Sequence, residues 1–288
     1  MVIPSWSWLL TKWSLEPSII VGMAALSVAY LYACGYRLPR TKAPASPGGP
    51  LPARALCSPF QFRMFWLSQL ILALSLMSPL DYVSDTYLFS AHMIQHLILA
   101  SVWPAVLLLS IPEQLAAPLY RGRNSSAIIR AVTFPAVALI VFNVDLSVWH
   151  IPYLYDLTLT NANIHIFEHV TFMATGVIAW FPVLNPVRSR RLAYGMQELY
   201  LFANLFPMMA LGIFYSFWQH ALYAPYIAAP RLWGITPVTD QQIGGLIMWM
   251  PGDIPFAFAM LIIGMNWLEK GDPKDLPSIA ASIPDAVS

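Results

Sequence analysis

The chain has 288 residues, of which 58% are hydrophobic and only 10% charged, with a mean hydropathy of +0.61. Soluble domains carry about 25% charged residues, so a soluble globular fold is excluded. A net charge of +1 offers nothing to nucleic acid. The composition is that of an integral protein of the lipid bilayer.

The opening MVIPSWSWLLTKW lacks a basic segment followed by a clean apolar run and a small-residue cleavage site, so no cleavable signal peptide is expected. Trp6, Trp8 and Trp13 suit the headgroup level, where amphipathic rings gather. Apolar windows then predict spans near 17–36, 62–78, 86–110, 127–148, 163–184, 198–219 and 242–267. The expected fold is therefore all-α: a polytopic bundle of seven transmembrane helices forming one domain over 1–268. A polar, disordered cytoplasmic tail is expected over 269–288. Pro44 to Pro50 (PASPGGP) reads as a flexible or extended linker.

Basic residues set the expected orientation. Arg37, Arg40, Lys42, Arg54 and Arg63, then Arg121, Arg123 and Arg130, then Arg188, Arg190 and Arg191, then Lys270 and Lys274 all fall on one side. Only Lys12 and Arg231 fall on the other. The positive-inside rule then places the N-terminus outside and the C-terminus in the cytoplasm. The two cysteines, Cys34 and Cys57, fall on the inner side, where thiols are expected to stay reduced.

With that orientation all six histidines lie at or near the outer face. Two pairs stand out: His92 and His96 in SAHMIQHL, and His165 and His169 in HIFEH. Residues four apart share a helix face, with Cβ atoms about 5–6 Å apart. At roughly 1.5 Å per residue the two pairs occupy overlapping depths. Four imidazoles from the third and fifth spans are thus expected to meet, and neutral imidazole suits copper, zinc, iron and nickel. The blander alternative is that each imidazole simply hydrogen-bonds a neighbouring helix; two turn-spaced pairs on one side favour a metal or haem site over it.

Several further groups gather near that face. Asp85, Glu168 and Gln241 are candidates for accepting from or orienting the imidazoles, while Asp145 and Asp156 read as ordinary solvated acids. His150, on a loop beside Pro152, is the candidate mobile ligand. Asp240 heads the seventh span in DQQIGGLIMWMPGD, and Met248 follows at a depth where a thioether prefers Cu(I). Gly244 and Gly245 permit close helix approach, and Pro251 with Asp253 predicts a kink.

The segments SPLDYVSD, LFSAHMIQHL, WHIPYLYD, HIFEH and DQQIGGLIMWMPGD, in this order from about residue 60 to 268, resemble the CtaG-like family of caa-type cytochrome c oxidase assembly factors. The resemblance implies a seven-helix protein of the bacterial cytoplasmic membrane that matures the oxidase by supplying copper or assembling its metal centres. The implied partners are oxidase subunits and periplasmic copper donors. His92, His96, His150, His165, His169 and Asp240 occupy the matching motif positions. On this reading the protein is not an enzyme. It binds copper through His92, His96, His165 and His169, with His150, Met248 or Asp240 assisting transfer. Two alternatives follow from the same spacing. One is a zinc-dependent membrane hydrolase, with Glu168 of HIFEH activating water and Ser90 nearby. The other is a bis-histidine haem protein using His92 and His169.

Overall fold

A computed structural model describes residues 6–35 and 57–271. The linker at 44–50, the tail beyond residue 271 and five of the basic residues named above (at 37, 40, 42, 54 and 274) lie outside the described residues. No strand occurs among those described. The helices in chain order are α1 (Pro17–Ala33), α2 (Pro59–Leu76), α3 (Pro79–Thr86), α4 (Phe89–Ser110), α5 (Arg123–Val132) and α6 (Pro135–Trp149). They continue with α7 (Pro152–Thr160), α8 (Ala162–Leu184), α9 (Tyr194–Phe217), α10 (Ala224–Ala228), α11 (Pro237–Trp249) and α12 (Ile254–Lys270).

Each of the seven apolar windows falls on helix, though not as seven uninterrupted spans. By length and composition four helices can cross a membrane: α4, α8, α9 and the continuous α11–α12 arm. The number is six if the bent pairs α2–α3 (40°) and α5–α6 (60°) each count as one span. α1 is apolar and 17 residues long. Proline explains the breaks. Pro79 and Pro135 each occupy the first helical turn, where a missing N–H costs nothing, and each obliges the preceding residue to be extended. The expected span at 127–148 is accordingly corrected to a short amphipathic α5 joined at an angle to α6. The kink expected near Pro251 is present as a single 3₁₀ turn, Pro251–Asp253.

α4 is the central helix, packed against α2, α3, α8 and α11, while α9 closes the bundle against α6, α11 and α12. Lipid is as apolar as leucine, so burial alone does not hold such helices together. Small residues and interhelical hydrogen bonds do. At Gly212 and Gly245 the backbones of α9 and α11 touch: a Cβ on Gly212 would stand 2.8 Å from the Gly245 carbonyl oxygen. α4 contains a π turn at Ile98–Val102. Pro104 has no N–H for the Ala100 carbonyl, four residues back. The loosened turn aims Ser101's carbonyl at α8, where the Trp180 indole N–H donates to it at 2.8 Å.

The cysteines correct the expectation of free thiols. Cys34 ends α1 and Cys57 precedes the cap of α2, and packing of these ends brings their Cα atoms to 5.4 Å, with the sulfurs joined as a disulfide. Both side chains are buried. An argument from bulk compartment chemistry does not reach sulfurs shielded from soluble reductants.

Candidate metal centre

The histidine-bearing face of α8 begins at a strong cap. The Asn161 side chain accepts from the Asn163 and Ile164 amides, at 3.0 and 3.4 Å, which satisfies two donors that helix geometry leaves free. From there Glu168, His169, Phe172, Thr175, Gly176, Ala179 and Trp180 recur at helical spacing and are buried, toward α4 and α6. α4 answers with Phe89, His92, Met93 and His96, also buried.

The N-terminus of α4 has no side-chain cap of its own. Asp240 of α11 supplies one from across the bundle. Its Oδ2 accepts the Phe89 N–H at 2.6 Å, and its Oδ1 accepts the Ser90 N–H at 3.2 Å and the Ser90 hydroxyl. Both carboxylate oxygens are committed to this task, so the structure gives Asp240 an architectural role in place of the expected transfer ligand. Gln241 likewise departs from expectation. It accepts from the Leu222 amide and donates to the His220 carbonyl, at 2.9 and 3.0 Å, holding the α9–α10 connection.

Between α4 and α8, His92, His165, Glu168 and His169 each offer one ligand atom, all within 4.8 Å of one another. The ring centroids of His165 and His169 are 4.2 Å apart, and those of His92 and His165 are 5.4 Å apart. His96 stands beside this group, its ring 4.2 Å from that of His92 and its Nε2 3.7 Å from Glu168 Oε1. Three of the four expected histidines thus share the cluster with Glu168, and His96 borders it.

The hydrogen bonds define where lone pairs point. The Tyr226 hydroxyl donates to the Ser84 carbonyl at 2.7 Å. At the 2.8 Å contact between His92 Nδ1 and that same hydroxyl, the imidazole must therefore be the donor. The proton of a neutral His92 sits on Nδ1, leaving Nε2 as a bare lone pair. His92 Nε2, His165 Nε2, His169 Nε2 and both oxygens of Glu168 are buried without a hydrogen-bond partner. Buried polar atoms left without partners are expensive and call for an explanation. Tetrahedral donors at about 2.0–2.1 Å from one ion lie roughly 3.3 Å apart, so side-chain adjustments on the order of 1 Å would close this set.

A groove of about 340 Å³ reaches the cluster from the side, with His165 and His169 on its floor and Glu16, Asp81 and Asp85 along it. Asp85 Oδ2 is 3.6 Å from His165 Nδ1, near the ring but beyond hydrogen-bond distance. Gln95 of α4 donates to Asp81 Oδ1 at 2.7 Å and to the Ser75 carbonyl at 3.0 Å. Of the acids read as ordinary, Asp145 ties α6 to α8 by accepting from Trp149 Nε1 and the Thr175 hydroxyl. Asp156, on α7 outside the spans, has its carboxyl pushed up by burial, an effect opposed by the Ala224 N–H.

His150 is corrected most sharply. It is buried and hydrogen-bonded, not displayed on an open loop: its Nδ1 donates to the Leu146 carbonyl at 2.7 Å, and its own carbonyl accepts from the Tyr215 and Tyr223 hydroxyls at 3.0 Å each. Met248 is buried beside it, lining a small cavity with Met93 and His96. Two residues that matter here carry no signal in the chain. Tyr226 fixes the His92 tautomer from 134 residues away, and Gln95 steadies the acidic groove. The turn HMIQH shows Gln95 only as a polar residue between histidines.

Apolar helices enclosing a donor-rich pocket at one end define a polytopic helical membrane protein. The cytochrome c oxidase caa3 assembly factor family (Caa3_CtaG) matches residues 30–270, and the chain belongs to that family. No curated protein and no solved structure matches the chain.

Proposed function

We propose that this assembly factor binds copper at His92, His165, Glu168 and His169, with His96 alongside, and delivers it to an oxidase subunit during metal-centre maturation. The observation that carries the reading is the convergence of buried imidazole nitrogens and carboxylate oxygens that have no hydrogen-bond partner. Such an arrangement is costly for a protein alone and is relieved by a cation. The groove past Glu16, Asp81 and Asp85 supplies a negatively charged approach. With the arginine-rich end in the cytoplasm, the cluster opens on the periplasmic side of the bacterial inner membrane. Copper reaches it there from periplasmic donors, and the N-terminus lies outside. Exchange is assigned to the His165 side, which borders the groove, since His150 is pinned.

The role is binding and transfer, not catalysis. Ser90, the hydroxyl that a hydrolase would use, is spent on Asp240, and Glu168 sits among the ligands. The His92 and His169 rings that a haem would use stand 6.2 Å apart, and His96 and His165 pack 4.2 Å from them, which crowds the space a porphyrin needs. The test is the metal content and visible spectrum of protein purified in detergent, for the wild type and for His92→Ala, His169→Ala and Glu168→Gln. Stoichiometric copper that is lost in the three variants, together with lowered oxidase activity in cells, is expected. A Soret band, stoichiometric zinc with hydrolytic turnover, or copper retained in all three variants overturns it.

A further inference from the structure

A second donor set lies deeper in the bundle, beyond His96. A cavity of about 10 Å³ is walled by Met93, Met208, Met248, His96 and His150, among apolar neighbours. That is roughly the room for one water-sized sphere. Apart from His96 and His150 its lining is thioether and hydrocarbon. The three methionines and His150 are each no more than 4% exposed.

The key contact is His150 Nε2 to Met93 Sδ at 3.4 Å. A carbonyl oxygen only accepts, so the 2.7 Å contact of His150 Nδ1 with the Leu146 carbonyl fixes the ring proton on Nδ1. Nε2 then presents a lone pair to a thioether, which itself has only lone pairs to offer. A proton on Nε2 as well would make a buried imidazolium, for which no carboxylate stands within salt-bridge distance among the described residues. Two acceptors facing each other at this separation have no attractive reason to do so unless something positive fits between or beside them. The Tyr215 and Tyr223 hydroxyls hold the His150 backbone in this pose, so the contact is built into the fold. At the far wall, Gly252 makes room for Met208: a Cβ there would stand 2.9 Å from its sulfur.

We infer that Met93, Met248 and His150, with Met208 lining the site, form a separate binding site for a soft monovalent cation, Cu(I). Thioether sulfur with one imidazole selects Cu(I) over the divalent ions that nitrogen and carboxylate donors prefer. The walls offer no side-chain oxygen to a harder cation. His96 lies between the two sites, its ring 4.2 Å from His92 and 6.2 Å from His150. Both of its ring nitrogens lack hydrogen-bond partners, which leaves it free to turn toward either. The inference stands on this contact and cavity and does not rest on copper at the His92–His169 cluster.

The full chain in detergent, titrated with Ag(I) as a redox-inert probe of the same preference, tests it. The double variant Met93→Leu/Met248→Leu is expected to bind one Ag(I) fewer than the wild type, while keeping the metal content of the His92–His169 cluster. The double variant His92→Ala/His169→Ala is expected to keep the methionine-dependent Ag(I). X-ray absorption of wild type loaded with one Ag(I) is expected to show sulfur neighbours, a readout independent of whether the leucine variant folds. Equal Ag(I) binding by the folded leucine variant and the wild type, or a spectrum of nitrogen and oxygen neighbours only, overturns the assignment.

Discussion

A phenol sets the chemistry of one imidazole in this protein. Because Tyr226 spends its hydrogen on Ser84, His92 is obliged to donate from Nδ1 and to aim Nε2 at its neighbours. Replacing Tyr226 with Phe removes that constraint and strands the Nδ1–H. An unsatisfied buried donor costs about 1–3 kcal/mol, and losing a partner that orients a metal ligand costs roughly 10–100-fold in affinity. Tyr226→Phe is therefore expected to lower the unfolding temperature and to weaken copper binding within that range, read by competition with a chelator. Unchanged affinity would detach the tautomer from the function. The two histidine pairs themselves were legible, because spacing of four on an apolar helix leaves few other reasons for imidazole. The place of Glu168 in the cluster was less so, since HIFEH puts it one residue from His169 and only the rotation of α8 decides which way it faces. The capping role of Asp240 is illegible in the sequence for a similar reason: a carboxylate at the head of one helix and a bare N-terminus on another meet only in three dimensions.

At the level of helices, apolar windows located the segments but not their joints. Prolines at 79 and 135 were visible in the chain, yet hydropathy averaged over a window runs straight through them. The π turn in α4 had Pro104 as its only herald. Its consequence is local and measurable. The Ala100 carbonyl, left without a proline N–H, lies where a Cβ on Gly176 of α8 would collide with it. Backbone cannot retreat as a flexible side chain can, so Gly176→Ala forces α4 and α8 apart. Overpacking of this kind costs typically about 1–3 kcal/mol. The variant is expected to unfold at lower temperature and, because the two helices carry the two halves of the cluster, to lose copper stoichiometry as well. Stability lost with full copper retained would place the hinge between these helices away from the site.

The molecule has two chemically distinct ends, one lined by histidines and acids, the other by arginines and the disulfide. Charge asymmetry made the ends legible in the sequence, whereas the sulfur pairing was not, since it depends on the ends of α1 and α2 packing side by side. The bond closes a loop with a sequence separation of 23, for which loop-closure entropy gives on the order of 3 kcal/mol of stabilisation. Cys34→Ser is expected to lower the unfolding temperature without altering copper content, and reductant is expected to slow the wild type on a denaturing gel until it co-migrates with the variant. Equal mobility of wild type and variant before reduction would show two free thiols.

The reach of Asp240 across the bundle also bears on when the protein becomes competent. During synthesis the two amides that open α4 have no acceptor until a carboxylate 150 residues downstream has been made and inserted. A nascent chain that has not yet reached α11 therefore leaves that turn frayed and its imidazoles poorly aligned. On the proposed copper-binding reading, capture of the ion is thereby deferred until α11 is in place.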